Sequence, residues 1–144
     1  MRPQSIVQFE RLFLASIAVS VINFILGYGA AVAALQRDPN MQQLGLGGGF
    51  ATAIFAVGTG IYLLLWFLIA RKAINIAKWV LVALVALSVV SLLNSLSASF
   101  ALNVTTVLGL LTYALEVAAV VYLFRGDAVA WLKGSEPIDP TTFE

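Results

Sequence analysis

The chain has 144 residues, of which 61% are hydrophobic and 10% are charged, and its mean hydropathy is +0.99. A soluble domain carries roughly 25% charged residues, so this composition predicts an integral membrane protein. A formal net charge of +1 excludes a basic field for nucleic acid. The sequence has no Cys and no His, which removes thiol nucleophiles, disulfides and the usual zinc and haem ligands. We therefore expect no metal and no cofactor.

Four uncharged apolar stretches are long enough for the ~20 helical residues that cross a bilayer core. They lie at about 12–35, 48–70, 79–100 and 104–124. Their continuous apolarity favours helices over the alternating strands of a barrel. The connection between the third and fourth stretches is short and uncharged, which predicts a tight turn. The sequence thus predicts an all-α membrane protein, an antiparallel bundle of four transmembrane helices forming one domain over residues 1–134.

Several shorter signals surround these spans. Ser5 and Gln8 have the spacing of a capping box, so the first helix should begin before the membrane. Gly126 should end the fourth helix, and Asp127 should cap an interfacial helix at about 127–133 that ends at Gly134. The acidic, proline-interrupted residues 135–144 predict a loose cytoplasmic tail. The small residues 31–33 after the first apolar run also resemble a signal-peptide cleavage site, but the run is long for such a peptide.

Basic residues are distributed unevenly between the two sides of this bundle. One side holds seven of the eight Lys and Arg residues, and the other holds Arg37 alone. This asymmetry predicts an N-in/C-in protein, with both termini in the cytoplasm. All three tryptophans fall near the same boundary, where indole rings suit the headgroup level. The predicted interfacial anchors are Arg11, Trp66, Arg71, Lys72, Lys78, Trp79, Arg125 and Trp131.

Each predicted span has a face of small or polar residues at steps of three and four. Such residues allow membrane helices to approach closely and to form hydrogen bonds with one another, so packing alone explains most of these stripes. The stripe residues that we consider candidates for a functional site are Ser20, Asn23, Tyr62, Ser88, Ser91, Asn94 and Thr112.

Glu116 is the only charged residue inside a predicted span. An ionisable group at mid-membrane costs at least ~2.5 kcal/mol on insertion scales and indicates a functional site by default. At ~1.5 Å per residue, Glu116 lies about 13 Å from Arg125, a depth shared by Ser20, Tyr62 and Ser88 on the other spans. With no basic residue in any span, we expect a neutral, hydrogen-bonded acid that either exchanges protons or holds helices together.

The chain resembles two groups of membrane proteins. The opening RPQSIVQFE, the four spans and the late AWLKG resemble small four-span bacterial inner-membrane proteins that have no assigned activity. In shape only, the chain is similar to small multidrug-resistance transporters, four-span proteins that work as dimers around an intramembrane glutamate. In that family the acid lies in the first helix, whereas here the first span has Asn23 and the acid lies in the fourth.

Three functions follow as hypotheses. The first is a non-enzymatic accessory or structural subunit that binds another membrane protein or lipid. The alternative is a small homodimeric, proton-coupled transporter or channel that uses Glu116. A membrane enzyme is the third, but serines without a nearby base and without a metal set give no catalytic constellation, so we expect no catalytic residues.

Overall fold

A computed structural model describes residues 2–98 and 102–134, without the side chains of residues 95–98. These residues are helical almost throughout. In chain order the helices are α1 (Gln4–Arg37), α2 (Pro39–Gln43), α3 (Gly48–Ala70), α4 (Asn75–Ala98), α5 (Val104–Tyr122) and α6 (Gly126–Lys133).

Four of the described helices are long and apolar enough to cross a membrane, namely α1, α3, α4 and α5. The predicted all-α membrane fold with four spans is confirmed. The orientation of the termini, the extent of the single domain and the bacterial membrane remain predictions. The expected end of the third span at Phe100 and the expected tail at 135–144 lie outside the described residues.

Helix bounds differ from the predicted spans where polar residues extend a helix beyond its apolar part. Helix α1 begins at Gln4 and α4 at Asn75, whereas α3 matches its predicted span. The short helix α2 was not predicted; it begins after Asp38, whose Oδ1 accepts a hydrogen bond from the backbone N–H of Asn40 at 2.9 Å. A Pro at the first position and an Asp cap before it are typical of a helix start.

The four long helices form a ring in which α1 packs against α3 and α5, and α4 packs against the same two helices. The contact between α1 and α5 is the most extensive. Glycines face this contact: a Cβ at Gly27 would lie 3.6 Å from Thr105, and one at Gly109 would lie 3.6 Å from Asn23. Small residues thus allow these two helices to approach closely, as is usual between membrane helices.

The buried side chains are concentrated at one end of the ring, which we call the packed end. It comprises the start of α1, the last turns of α3 and α5, the first half of α4, and α6. We call the opposite half the open end; among the described residues it has no buried side chain in 17–37, 48–64, 86–94 or 104–111. The buried apolar residues are Ile6, Phe9, Phe13, Leu65, Ile69, Ala70, Ala77, Leu81, Val85, Ala119, Leu123, Ala128 and Leu132.

Three of the caps expected at the packed end are corrected and one is confirmed. Helix α5 ends at Tyr122 with Leu123 as its C-cap, so Gly126 does not end it and is instead the first residue of α6. The N-cap of α6 is Arg125, without a side-chain hydrogen bond to the helix, so Asp127 does not cap α6.

The third correction and the confirmed cap concern Ser5 and Gly134. The N-cap of α1 is Pro3, so Ser5 forms no capping box; Ser5 is buried, and its backbone N–H donates to Asp127 Oδ2 at 3.1 Å. Asp127 therefore satisfies an N–H at the start of α1, because α6 folds back against that end. Helix α6 does end at Gly134, whose φ of 67° is the left-handed conformation that glycine adopts readily.

Candidate functional site: the cavity around Glu116

A cavity of about 520 Å³ lies between α1, α3 and α5, and among the described side chains of α4 only Ser88 lines it. It brings together most of the polar residues singled out in the sequence. The predicted residues that line it are Ser20, Asn23, Tyr62, Ser88, Thr112 and Glu116, and the further lining residues are Ile17, Ile54, Phe55, Gly58, Thr59, Gly109 and Tyr113.

Helix α5 presents its acid to this cavity. Thr112 and Glu116 lie one helical turn apart and therefore share a face, and they are only 8% and 7% exposed. Glu116 Oε2 is buried and has no hydrogen-bond partner among the described residues. The hydrogen bond expected for this carboxyl is thus not made at Oε2.

The neighbouring hydroxyls explain this missing bond. Ser88 Oγ donates to the backbone oxygen of Leu84, and Thr112 Oγ1 donates to that of Leu108, both at 2.9 Å. Serine and threonine often bond the carbonyl four residues back in a membrane helix. Since each hydroxyl has one hydrogen, neither of these two can donate to the carboxyl while it makes that bond.

Tyr62 is held in place on the far side of the cavity. Its ring stacks on Phe13 with centroids 5.6 Å apart and an interplanar angle of 5°. Its hydroxyl lies 3.4 Å from Ser88 Oγ. Both the ring and the polar tip are therefore positioned by other helices, which makes Tyr62 a fixed part of the cavity wall.

The cavity is closed towards the packed end. On each long helix, buried residues follow the lining residues within one or two turns in that direction: Phe13 on α1, Leu65 on α3, Val85 on α4 and Ala119 on α5. Phe13 also stacks on Phe9, with centroids 5.3 Å apart. A solute or proton in the cavity therefore has a closed floor beneath it.

A second unsatisfied group lies further from this floor. The Oδ1 atom of Asn23 is buried and has no hydrogen-bond partner in the part of the chain that the structure describes, and Asn23 packs beside Gly109. An amide oxygen and a carboxyl oxygen thus line the same cavity without a donor from the described residues. Unsatisfied buried acceptors are uncommon in folded proteins and call for an explanation.

The described residues that line the cavity include no Lys and no Arg. Tyr62 and Tyr113 both lie close enough to Glu116 to interact with its charge. Within the part of the chain that the structure describes, no three Asp, Glu, His or Cys residues lie together as a metal site would require. The arrangement can hold a proton or a cation against one carboxyl, an amide oxygen and aromatic rings.

Two predicted site residues lie elsewhere. Ser91 and Asn94 are exposed on α4 and do not line the cavity, because Ser88 is the one lining residue from the described side chains of α4. Ile17, Ile54 and Phe55 line the cavity but were not singled out, since apolar residues in an apolar span give no signal of their own.

The predicted anchors differ in exposure. Arg11, Arg71, Lys72, Trp79 and Arg125 are exposed, as expected for interfacial residues. Trp66 and Trp131 are half-buried, and their Nε1 atoms are buried with no hydrogen-bond partner among the residues that the structure describes. Lys78 is buried.

No protein family, characterised protein or solved structure matches this chain.

Proposed function

We propose that this chain is an integral membrane protein that binds a small organic cation at Glu116 in exchange for a proton, and so acts as a proton-coupled transporter or channel. The observation that carries the proposal is the buried Oε2 atom of Glu116, which lines a cavity of about 520 Å³ and has no hydrogen-bond partner among the described residues. Intramembrane acids typically belong to substrate or proton pathways.

The alternative role of Glu116, holding helices together, receives less support. An acid in that role donates or accepts a hydrogen bond across a helix interface. Oε2 makes none, and the hydroxyls of Ser88 and Thr112 bond within their own helices. Helix association here rests instead on the aromatic and aliphatic core of the packed end and on the small residues between α1 and α5.

The lining favours a cation over an anion or a neutral solute. No basic residue is among its described members, and acceptors are contributed by Glu116 and Asn23. The rings of Phe55, Tyr62 and Tyr113 also line it, and the faces of aromatic rings attract cations. A proton and an organic cation can compete for one carboxylate, which is the simplest form of coupling.

The two ends of the bundle support access from one side. The cavity lies next to the loosely packed open end, and its floor is the packed end. Transport requires a second state in which the floor opens and the open end closes. A second copy of the chain can supply the missing wall where Ile54 and Gly58 of α3 line the cavity yet remain exposed.

The test is calorimetric titration of the purified protein in neutral detergent with benzyltrimethylammonium, a permanent cation. Titration in two buffers of different ionisation enthalpy counts the protons released. For the unmodified chain we expect one proton to be released per cation bound. Glu116→Gln should release no proton and bind the cation at least tenfold more weakly. Glu116→Asp should retain the exchange.

Asp38→Asn is the matched control, because Asp38 is a carboxyl outside the cavity and Asn can also cap α2. It should bind like the unmodified chain. Binding by Glu116→Gln that equals the unmodified chain would refute the proposal.

A second candidate, an accessory subunit that binds another membrane protein, is favoured by one observation. Ser91 and Asn94 are exposed on α4, within a candidate span, and polar side chains on a membrane-facing surface suit contact with a partner helix. Polymer extraction from the native membrane, followed by mass measurement, tests this. A stoichiometric second protein that is lost in S91L/N94L supports an accessory role, whereas a homodimer of the chain supports the transporter.

A further inference from the structure

Lys78 is the one buried basic residue in the part of the chain that the structure describes. It lies in the first turn of α4 at the packed end, and it is only 5% exposed. Lysine is almost never buried without a charged partner.

Two aromatic rings contact this ammonium group. Lys78 Nζ lies 4.7 Å from the ring centroid of Phe124 and 5.2 Å from that of Trp79. The two rings meet edge to face, with centroids 5.8 Å apart. Cation–π contacts of this kind favour the charge but do not neutralise it.

No described acid forms an ion pair with Lys78. Lys133 of α6 is close enough for its positive charge to repel that of Lys78. The described acids are placed elsewhere: Glu10 pairs with Arg2 and Arg71, Asp127 accepts from Ser5, Asp38 caps α2, and Glu116 lines the cavity.

Two neighbouring cations without an acid repel each other, and an anion between them reverses the sign of that interaction. The chemistry required is an anion with several oxygen acceptors that can reach two ammonium groups at once. A phosphate ester meets this requirement.

The surface around the two lysines is apolar and exposed. Trp79 and Phe124 are 56% and 47% exposed, and Ile76, Val80 and Val121 are exposed as well. In a chain with four candidate spans, this surface lies where helix ends meet the membrane boundary. A ligand with acyl chains covers such a surface, whereas free phosphate does not.

We propose that Lys78 and Lys133 bind the headgroup phosphate of an anionic phospholipid, with its acyl chains against the surface around Trp79 and Phe124. Basic pockets between helix ends are a known mode of anionic-lipid recognition. This site is separate from the Glu116 cavity and does not depend on the function proposed for it.

The experiment is native mass spectrometry of the full chain, delipidated in neutral detergent and titrated with phosphatidylglycerol or with phosphatidylcholine. Each lysine near an anionic lipid contributes about 1 kcal/mol, or roughly a fivefold change in affinity. We expect the unmodified chain to bind phosphatidylglycerol at least fivefold more tightly than phosphatidylcholine. Lys133→Gln and Lys78→Gln should each bind phosphatidylglycerol about fivefold more weakly than the unmodified chain does.

Lys72→Gln is the matched control, since Lys72 is an exposed lysine at the same end of the bundle. It should retain the affinity of the unmodified chain. Lys133 is also exposed, so Lys133→Gln tests the site even if Lys78→Gln fails to fold. Equal losses in Lys72→Gln and Lys133→Gln would overturn the proposal in favour of general surface attraction.

Two further arms distinguish other sources of the anion. Inorganic phosphate that displaces phosphatidylglycerol at millimolar concentration would show a free-phosphate site and refute the lipid. A variant with Glu136, Asp139 and Glu144 changed to amides tests the acidic C-terminal residues. If only that variant prefers phosphatidylglycerol, these residues occupy the site in the natural chain, and the lipid proposal is wrong.

Discussion

The packed end and the open end are built from the same four helices and from similarly apolar residues, yet only one of them has a buried core. In α1 the packed end contains Phe9 and Phe13, which are fully buried, whereas the stretch from Gly27 to Ala34 consists mostly of Gly and Ala. Large rings fill the space between helices, and small residues leave it open. Helix α6 further covers the packed end. Side-chain volume and this extra cover, rather than apolarity, separate the part that holds the bundle together from the part that has room for a ligand.

The largest expected effect comes from removing an aromatic ring at the packed end. Phe13 is fully buried between Phe9 and Tyr62, so Phe13→Ala should leave a cavity and lower the free energy of unfolding by ~3 kcal/mol. We take the low end of the range for such substitutions because lipid, unlike water, solvates an exposed ring well.

Phe24→Ala is the matched substitution at the open end. Phe24 stacks on Phe55 with centroids 4.0 Å apart but is only half-buried, so we expect a loss of about 1 kcal/mol. Denaturant unfolding in mixed micelles, followed by circular dichroism, measures both. Equal losses of unfolding free energy in the two variants would show that the packed end and the open end are packed alike.

The next prediction concerns the rate at which introduced cysteines react with a maleimide. A cysteine in the cavity should react about tenfold faster than one in the cavity floor, which is equivalent to ~1.4 kcal/mol. The chain has no cysteine, so a single introduced cysteine is the only thiol that can be labelled. Thr59→Cys lines the cavity and should react with a water-soluble maleimide, whereas Ser16→Cys replaces a fully buried residue in the cavity floor and should not.

The control for labelling is Val57→Cys, which is exposed on the outer surface of α3 and does not line the cavity. In a bilayer this position should meet lipid and react slowly. Fast labelling at all three positions would mean that the packed end does not close the cavity.

The helices and their spans could be predicted from the sequence because twenty apolar residues without charge have few alternatives in a bilayer. Glu116 and its neighbours at equal depth could also be singled out, since a lone charge in a span is conspicuous and helical rise converts residue number into depth. The structure places Ser20, Tyr62 and Ser88 in one cavity with that acid.

Other features depend on which helices are neighbours, and periodicity does not encode this. Ser91 and Asn94 lie on the same helix as Ser88 but are exposed, because over its described side chains α4 meets the cavity at Ser88 alone. Asp127 has the spacing of a cap for its own helix, yet it accepts a hydrogen bond from Ser5, 122 residues away. Long-range contacts of this kind become visible only when the chain is folded.

Asp127 gives the next prediction, with an effect of about 1 kcal/mol from the loss of a helix cap. Desolvation acts to raise its pKa, but hydrogen bonds from the Ser5 side chain and from backbone N–H groups outweigh it, so the folded-state pKa is lowered. A lowered pKa stabilises the fold above the unfolded value of about 3.9, and this contribution is lost as pH falls through the folded-state value.

The measurement is the difference in unfolding free energy between the unmodified chain and Asp127→Ala at several pH values. We expect a constant difference from pH 7 to pH 5, which shrinks as pH falls below about 4. Asp127→Asn retains an acceptor oxygen and isolates the contribution of the charge. A difference that grows on acidification would mean that the pKa shift has the opposite sign.

The smallest expected effect concerns the ion pair that joins α1 to α3 at the packed end. Glu10 Oε1 lies 3.1 Å from Arg71 Nη2, and the Glu10 side chain is 15% exposed whereas that of Arg71 is 45% exposed. Partly exposed pairs of this kind contribute about 0.5 kcal/mol. A double-mutant cycle with Glu10→Gln and Arg71→Gln should give a coupling energy of that size, which decreases in high salt.

Arg2 provides the comparison within the same cluster. Its Nη1 lies 2.5 Å from the other oxygen of Glu10, but Arg2 directly precedes α1 and so does not connect α1 to another helix. Breaking the Arg2 contact should leave the contact between α1 and α3 intact, whereas breaking the Arg71 contact should loosen it. If the packed end is also the floor that must open for transport, Arg71→Gln should raise the labelling rate of Ser16→Cys and Arg2→Gln should not. Equal labelling in both variants would show that the buried aromatic core alone keeps the floor closed.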